Sequence, residues 1–391
     1  MSYTIQATPP DLSSVHGDLI YTVAYPEHTA DPVTYTNYKF VGDLYINSVL
    51  VSRIKKIPNP ETNIGIFNIG QIVRNYVSTV FNPTAGDIRS QVLSDGEFRV
   101  SVEMKFGEEY AYTMYTNLVT DSTRTFFNNY NGRLSGILTS LDGYENKPLT
   151  TRPTATKLRC DSSFNFLPYF RNASSTFNVT IRLYNYANTN YDTITHLITP
   201  VTAYDLQQFN LSVASINAVS PGAISAYTKY FTVEVSSVLY RFDLDCECIH
   251  DRFTLHFLNR FGGFESKDFT KVSRKTISID KKDFGKLPYT VDSSGVVSYR
   301  NSNNVYNESR SVYSSQFKEK MSLNTDLLTD TEYLWLEQLV LSPMVYLEEN
   351  GYFFPVVITE NNYEPKKVIN DDLTNLNISI EFGEQNNAQY R

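Results

Sequence analysis

The tightest grouping of reactive side chains in this 391-residue chain is Cys246-Glu247-Cys248-Ile249-His250. Alternate residues of a β-strand share a face, so both sulfurs and the imidazole would lie on one side, within reach of a single zinc ion. A closed zinc site needs a fourth ligand, and its cysteines are ordinarily spaced by two or more residues. Continued backwards, the alternation places Val238, Tyr240, Phe242 and Leu244 on the face of the cysteines. That makes the face core and the thiols small buried hydrophobes. The opposite face carries Asp243, Asp245 and Glu247, carboxylates roughly 7 Å apart by strand geometry. Such a row could ligate calcium or, with one raised pKa, hydrolyse a glycoside. A solvated strand face has the same composition and is the simpler reading.

Other chemistries find less support. There is no Gly-X-Ser-X-Gly elbow, and the five histidines fall in no triad order. His256, on the polar side of Phe253-Leu255-Phe257, reads as a surface strand residue. Gly262-Gly263 lacks the further glycines, the Lys-Ser/Thr and the following helix of a phosphate loop, and reads as a turn. No catalytic, metal-binding or cofactor-binding residue is therefore assigned, and the chain reads as a non-enzyme.

Composition points the same way. The chain has 29 Tyr and 24 Phe against a single Trp, and this bias favours pleated, half-buried surface over helix. A net charge of −8 argues against a broad nucleic-acid footprint; Lys366-Lys367 is the nearest basic cluster. The longest apolar runs, such as Pro355-Val356-Val357-Ile358, fall far short of the roughly 20 residues that span a bilayer. Three cysteines and no recognisable signal peptide lead us to expect free thiols in a reducing compartment, where sites such as Asn172-Ala173-Ser174 stay unglycosylated.

A period of two marks strands at Phe98–Phe106, Phe177–Leu183, Val238–Leu244 and Leu376–Phe382. Between Tyr35 and Ile54 an apolar stretch broken at Gly42-Asp43 and at Asn47-Ser48 reads as a hairpin, and Asn188-Thr189-Asn190 as the turn of a second. Asn68 with Gln71 suggests a capping box for a short helix with Ile69, Ile72, Val73 and Tyr76 along one face. Thr329 with Glu332 suggests another, opening a helix over 331–341 that turns Leu334, Trp335, Leu339 and Leu336 inward and ends at Ser342-Pro343. The polar stretch Thr120 to Pro153 reads as a boundary, and Tyr289 to Gln316 as a long exposed loop. The expected architecture is mainly β, with two or three β-sandwich-like domains: 1–125, 150–250 and 251–391, the last with the 331–341 helix.

Several of these segments carry a resemblance. They are Leu255-His256-Phe257-Leu258-Asn259-Arg260-Phe261-Gly262-Gly263-Phe264, the Trp335 helix through Tyr346, Pro355 to Thr359 and the strand Asn377 to Phe382. The chain resembles virion structural proteins of tailed bacteriophages infecting Bacteroidetes, including the crAss-like group, in their tail or neck components. Ile57-Pro58-Asn59-Pro60, Gly65 to Ile69 and Ile72-Val73 look like the opening of the same proteins. The resemblance covers residues 1–80 and roughly 252–391 and leaves the middle unassigned. It implies a virion location after synthesis in the host cytoplasm. Its partners would be copies of the chain and neighbouring virion proteins, with loops such as Asp292 to Ser315 ordering against adjacent subunits. The alternatives are a receptor- or glycan-binding decoration with a host-surface glycan as partner, and a glycoside hydrolase using Asp243, Asp245 or Glu247.

Overall fold

The alternating segments are strands in the computed structural model, which describes residues 3–31, 33–130, 141, 143–235, 237–246, 251–359, 373–383 and 386–390. Arg99–Tyr110 turns Val100, Val102, Met104 and Phe106 inward with no exposure. It lies in a six-stranded sheet of order Ser13–Ser14, Arg124–Phe127, Arg99–Tyr110, Lys39–Ile46, Val49–Lys56, with Thr113–Thr120 also paired to Arg99–Tyr110. Thr4–Ala7, Ile20–Ala24 and Gly65–Asn68 form a second sheet. Tyr21 and Phe67 of the second meet Phe106 of the first at ring-centroid distances of 5.7 and 5.3 Å. The apolar sides of both sheets thus share one core, the arrangement of a β-sandwich.

Asn47-Ser48 closes the expected hairpin with both residues at positive φ, +48° and +66°, the mirror-image turn that matches strand twist. Gly42-Asp43 does not break this strand. A Cβ on Gly42 would stand 2.9 Å from the Phe67 ring, so glycine makes room for the facing sheet. Asp43 accepts two hydrogen bonds from Arg53 on the neighbouring strand, at 2.6 and 2.8 Å.

A second pair of sheets follows. Lys147–Pro148, Phe166–Phe170, Leu206–Asn210 and Arg89–Leu93 form one, in that order. Ala155–Arg159, Val238–Asp245, Thr228–Val235, Phe177–Asn185 and Asn190–Ile198 form the other. Leu167, Tyr169 and Phe209 of the first pack with Val179, Ile181, Leu183, Phe231 and Phe242 of the second. The expected Asn-rich hairpin is here: the Asn185 side-chain oxygen accepts from the Ala187 and Thr189 amides, and Asn188 is left-handed. Arg89–Leu93, from the range expected to form the N-terminal domain, pairs with Leu206–Asn210 of the middle range. Arg124–Phe127 and Lys147–Pro148 bring strands into the stretch expected as a boundary. Residues 1–247 and 257–266 accordingly make up one unit with two main apolar clusters, and 248–256 with 267–391 make up another.

The second unit is organised by a sheet of order Phe264–Phe269, Phe253–Leu258, Val345–Glu349, Tyr352–Ile358, Asn377–Phe382, Arg310–Asn324, Arg274–Gly285, with Asn386–Tyr390 also on Arg310–Asn324. The Thr329/Glu332 capping box forms on both sides and opens the helix Asp330–Leu341, which Ser342 caps. Trp335, Leu336 and Leu339 are buried, but Leu334 is 53% exposed: it sits one step round the helix from Trp335, on the outer face. The other predicted capping box does not form. Ile69 is the N-cap of Gly70–Arg74, Asn68 accepts from the Gly70 amide and donates to Asp18, and Tyr76 is exposed beyond the helix end. His256 is fully buried rather than on the surface: its Nε2 lies 3.0 Å from the Glu348 carboxylate and its ring stands edge-on to Phe353.

Residues 257–266 show why glycines follow Phe261. The Asn259 amide donates to the Leu149 carbonyl and its oxygen accepts from the Phe261 and Gly263 amides, folding the turn tightly against the first unit's core. Gly262 has φ +88°, and a Cβ there would meet the Asn128 carbonyl at 2.2 Å; at Gly263 it would meet Pro168 Cβ at 2.3 Å. Gly263→Ala is expected to cost about 2 kcal/mol through overpacking of a filled site, read as a lower midpoint in guanidinium unfolding; an unchanged midpoint would show that the turn is free to move.

Candidate interaction surfaces

The sulfur and carboxylate cluster resolves into structure rather than chemistry. Cys246 is oxidised to a disulfide with Cys160, 86 residues earlier, and is exposed, so it is neither a thiol nor core as its alternation suggested. The bond adds one step to a ladder: Ala155–Arg159 runs parallel to Val238–Asp245, Arg159 stands opposite Asp245, and the two cysteines come next. Parallel neighbours with no sequence proximity are invisible to a strand-by-strand reading. Cys248, His250 and Glu247 lie outside the described residues, and among the described residues no group of three or more His, Cys, Asp or Glu could hold a metal ion. Asp243 is gripped by Arg241 at 2.6 Å, and that guanidinium stands 3.9 Å from the centroid of the Tyr230 ring. Tyr230 in turn stacks on Tyr184 at 4.6 Å. The carboxylate row thus begins as part of a surface ladder of ion pair, cation–π contact and ring stack.

Sequence gave no sign of a denser titratable cluster in the first sandwich. Tyr3, Tyr25, Tyr35, Tyr38 and Phe40 pack with His28. The Tyr25 hydroxyl donates to Glu27 at 2.6 Å and stands 3.0 Å from that of Tyr35; Tyr38 donates to Glu108 at 3.1 Å. Burial pushes the Tyr3 and Tyr38 phenols far above their ordinary range, and it also raises the Glu108 carboxyl, which the Tyr38 bond partly opposes. The residues come from four stretches, Tyr3, Tyr25 to His28, Tyr35 to Phe40 and Glu108, and no single local pattern joins all of them.

A shallow hollow of about 450 Å³ lies at the turn end of the second sandwich, lined by Asn185, Tyr186, Ala187, Tyr191, Ser225 and Tyr227. Tyr191 is held by its hydroxyl, 2.5 Å from Thr228 Oγ1 and 2.9 Å from the Ala223 carbonyl. Tyr227 is 79% exposed and Tyr186 is 66% exposed. No charged side chain lines the hollow.

A long exposed edge lies in the second unit. Arg274–Gly285 pairs along its twelve residues with residues 310–322, about 40 Å at 3.3 Å per residue, and stands at the edge of its sheet, while the other side of Arg310–Asn324 is paired with Asn386–Tyr390 and Asn377–Phe382. The stretch expected as an exposed loop is mostly that: 289–309 runs through exposed turns and a small hairpin of Thr290–Val291 and Val297–Ser298, and 310–316 continues into the strand Arg310–Asn324, which with Arg274–Gly285 makes a β-arm. No residue of Arg274–Gly285 is buried, on either face. Ile277, Ile279, Phe284, Leu287, Val296 and Tyr306 are each at least half exposed. Charged residues, among them Lys281, Lys282 and Asp283, stand between them.

No described helix is long and apolar enough to cross a membrane. A comparison of the sequence with protein-family models and with curated proteins gives no match.

The Glu108 environment predicts a pH dependence. Its folded pKa is raised, so the folded state holds a proton that the unfolded state has released; stability is greatest below the ordinary Glu range and falls as pH rises towards the raised value. Glu108→Gln keeps the Tyr38 acceptor without the buried charge. It is expected to raise the melting temperature at pH 8 while leaving it nearly unchanged at pH 4, measured by differential scanning fluorimetry.

Proposed function

We propose that this chain is a non-enzymatic structural component of a larger assembly, the role implied by its resemblance to tail or neck components of tailed phages. It acts by presenting surfaces to copies of itself and to neighbouring proteins. The observation that carries the reading is the arm at 274–324. An edge strand with no buried residue, beside turns that expose Ile, Phe, Val, Leu and Tyr, gains nothing from these side chains as an isolated molecule, because burying apolar area is what stabilises. Covering them against another chain would return that free energy and order the arm at once.

The hollow at Tyr186, Tyr191 and Tyr227 favours a second reading, a glycan-binding decoration protein. Exposed tyrosine faces stack on the C–H faces of sugars, and an uncharged lining with free hydroxyls suits a neutral saccharide.

Light scattering of the purified chain is expected to give a mass that is a multiple of 44.7 kDa, with particles of matching size in negative-stain electron microscopy. A monomer at every concentration tested removes the assembly reading. On the second reading the chain binds neutral oligosaccharides on an array, and Tyr227→Ala weakens binding about tenfold, the loss of one aromatic contact; an array without signal removes it.

A further inference from the structure

We infer that the arm of one copy docks on the outer face of the helix Asp330–Leu341 of a second copy. This rests on the assembly reading above and names the two faces that meet.

Charge separates the arm from the unit that carries it. Residues 274–320 hold nine Lys and Arg against five Asp and Glu, a net of +4. The other residues of the second unit, 248–256, 267–273 and 321–391, hold six against fourteen, a net of −8. An arm of one sign on a body of the other is drawn to the body of a neighbour.

The helix offers a face of the right kind. Asp330, Leu334, Glu337 and Leu341 follow one another at spacings of four, three and four, so they form a single stripe, and all four are exposed. Leu334 is 53% and Leu341 69% exposed, opposite the buried Trp335, Leu336 and Leu339. Asp330 and Glu337 make no ion pair among the described residues. Acid, leucine, acid, leucine over about 16 Å of helix is an exposed amphipathic pattern.

The arm carries the complement. Ile277, Ile279 and Lys281 alternate along one face of Arg274–Gly285, over about 13 Å. Ile277 and Ile279 are 51% and 60% exposed. Lys281 and Lys282 make no ion pair among the described residues, whereas Lys275 is engaged by Glu319 at 2.7 Å. Two isoleucines with the Lys281 ammonium beside them match two leucines set between carboxylates in length, hydrophobicity and charge. Arm onto helix is a heterologous contact: each copy gives one face and receives the other, so copies close into a ring or continue as a filament.

The test is a charge exchange in the full-length chain, read as mass by light scattering at concentrations where the unaltered chain is assembled. Lys281→Glu, and separately Glu337→Lys, are each expected to shift the mass towards the 44.7 kDa monomer with an unchanged circular dichroism spectrum, since both residues are exposed. Combining them is expected to restore the assembly. An assembly indifferent to both reversals, or dissociation that the combination does not rescue, overturns this docking while leaving the assembly reading in place. A chain that never assembles removes both.

Discussion

Two strands at the centre of the first unit, Phe166–Phe170 and Leu206–Asn210, have no exposed side chain on either face. A sheet without a wet side must be covered twice, and the surrounding layers follow from that constraint. Leu167, Tyr169 and Phe209 take one face into the core shared with the five-stranded sheet. On the other, Phe170 meets Phe98 and Phe127 of the first sandwich, and Phe166 meets Phe81, which also touches Phe264. An unmet buried donor or acceptor costs roughly 1–3 kcal/mol; the Gln207 side chain has no partner among the described residues, but other polar side chains on these strands find theirs inside. Gln208 does so by pairing with both the amide and the carbonyl of Phe264, at 2.9 and 2.8 Å. Asn210 accepts from the Asn165 and Ser212 amides. These contacts explain why the turn at 257–266 belongs to the first unit although the chain on either side of it belongs to the second.

The aromatic excess is put to two different uses. In the first unit Tyr21, Tyr169 and the phenylalanines fill cores, and Tyr3, Tyr25, Tyr35 and Tyr38 form a hydrogen-bonded nest, so large area is buried and most hydroxyls in the nest reach a partner. In the arm of the second unit Tyr299, Tyr306 and Tyr313 stand in solvent beside exposed valines and isoleucines. The same residue type is enclosed in one unit and stands in solvent in the other. The edge strand Arg274–Gly285 also shows how an open edge is kept from indiscriminate pairing: Lys281, Lys282 and Asp283 interrupt the apolar row, and a bulge falls between Lys282 and Asp283.

What the sequence determined by itself was local and periodic. Alternation identified the strands around Val100, Ile181, Phe242 and Ile378 and their buried faces, because a side-chain period of two is set by backbone geometry alone. Turn chemistry located both hairpins, since Asn tolerates the left-handed conformations that Asn47 and Asn188 adopt. The capping box placed the Trp335 helix within a residue or two. Everything that depends on which strand lies beside which was decided by tertiary structure. His256 is buried because Glu348, far along the chain, meets it; Cys246 is oxidised because a parallel strand brings Cys160 opposite; Glu108 is perturbed because tyrosines from other segments close over it. The polar stretch at 289–316 has the composition of a loop and is mostly one; its last residues, 310–316, are strand because they pair with Arg274–Gly285. Strand pairing carries no local signature, because backbone hydrogen bonds are the same for every sequence. The partners of the cysteine, the histidine and the arm therefore had to come from the fold.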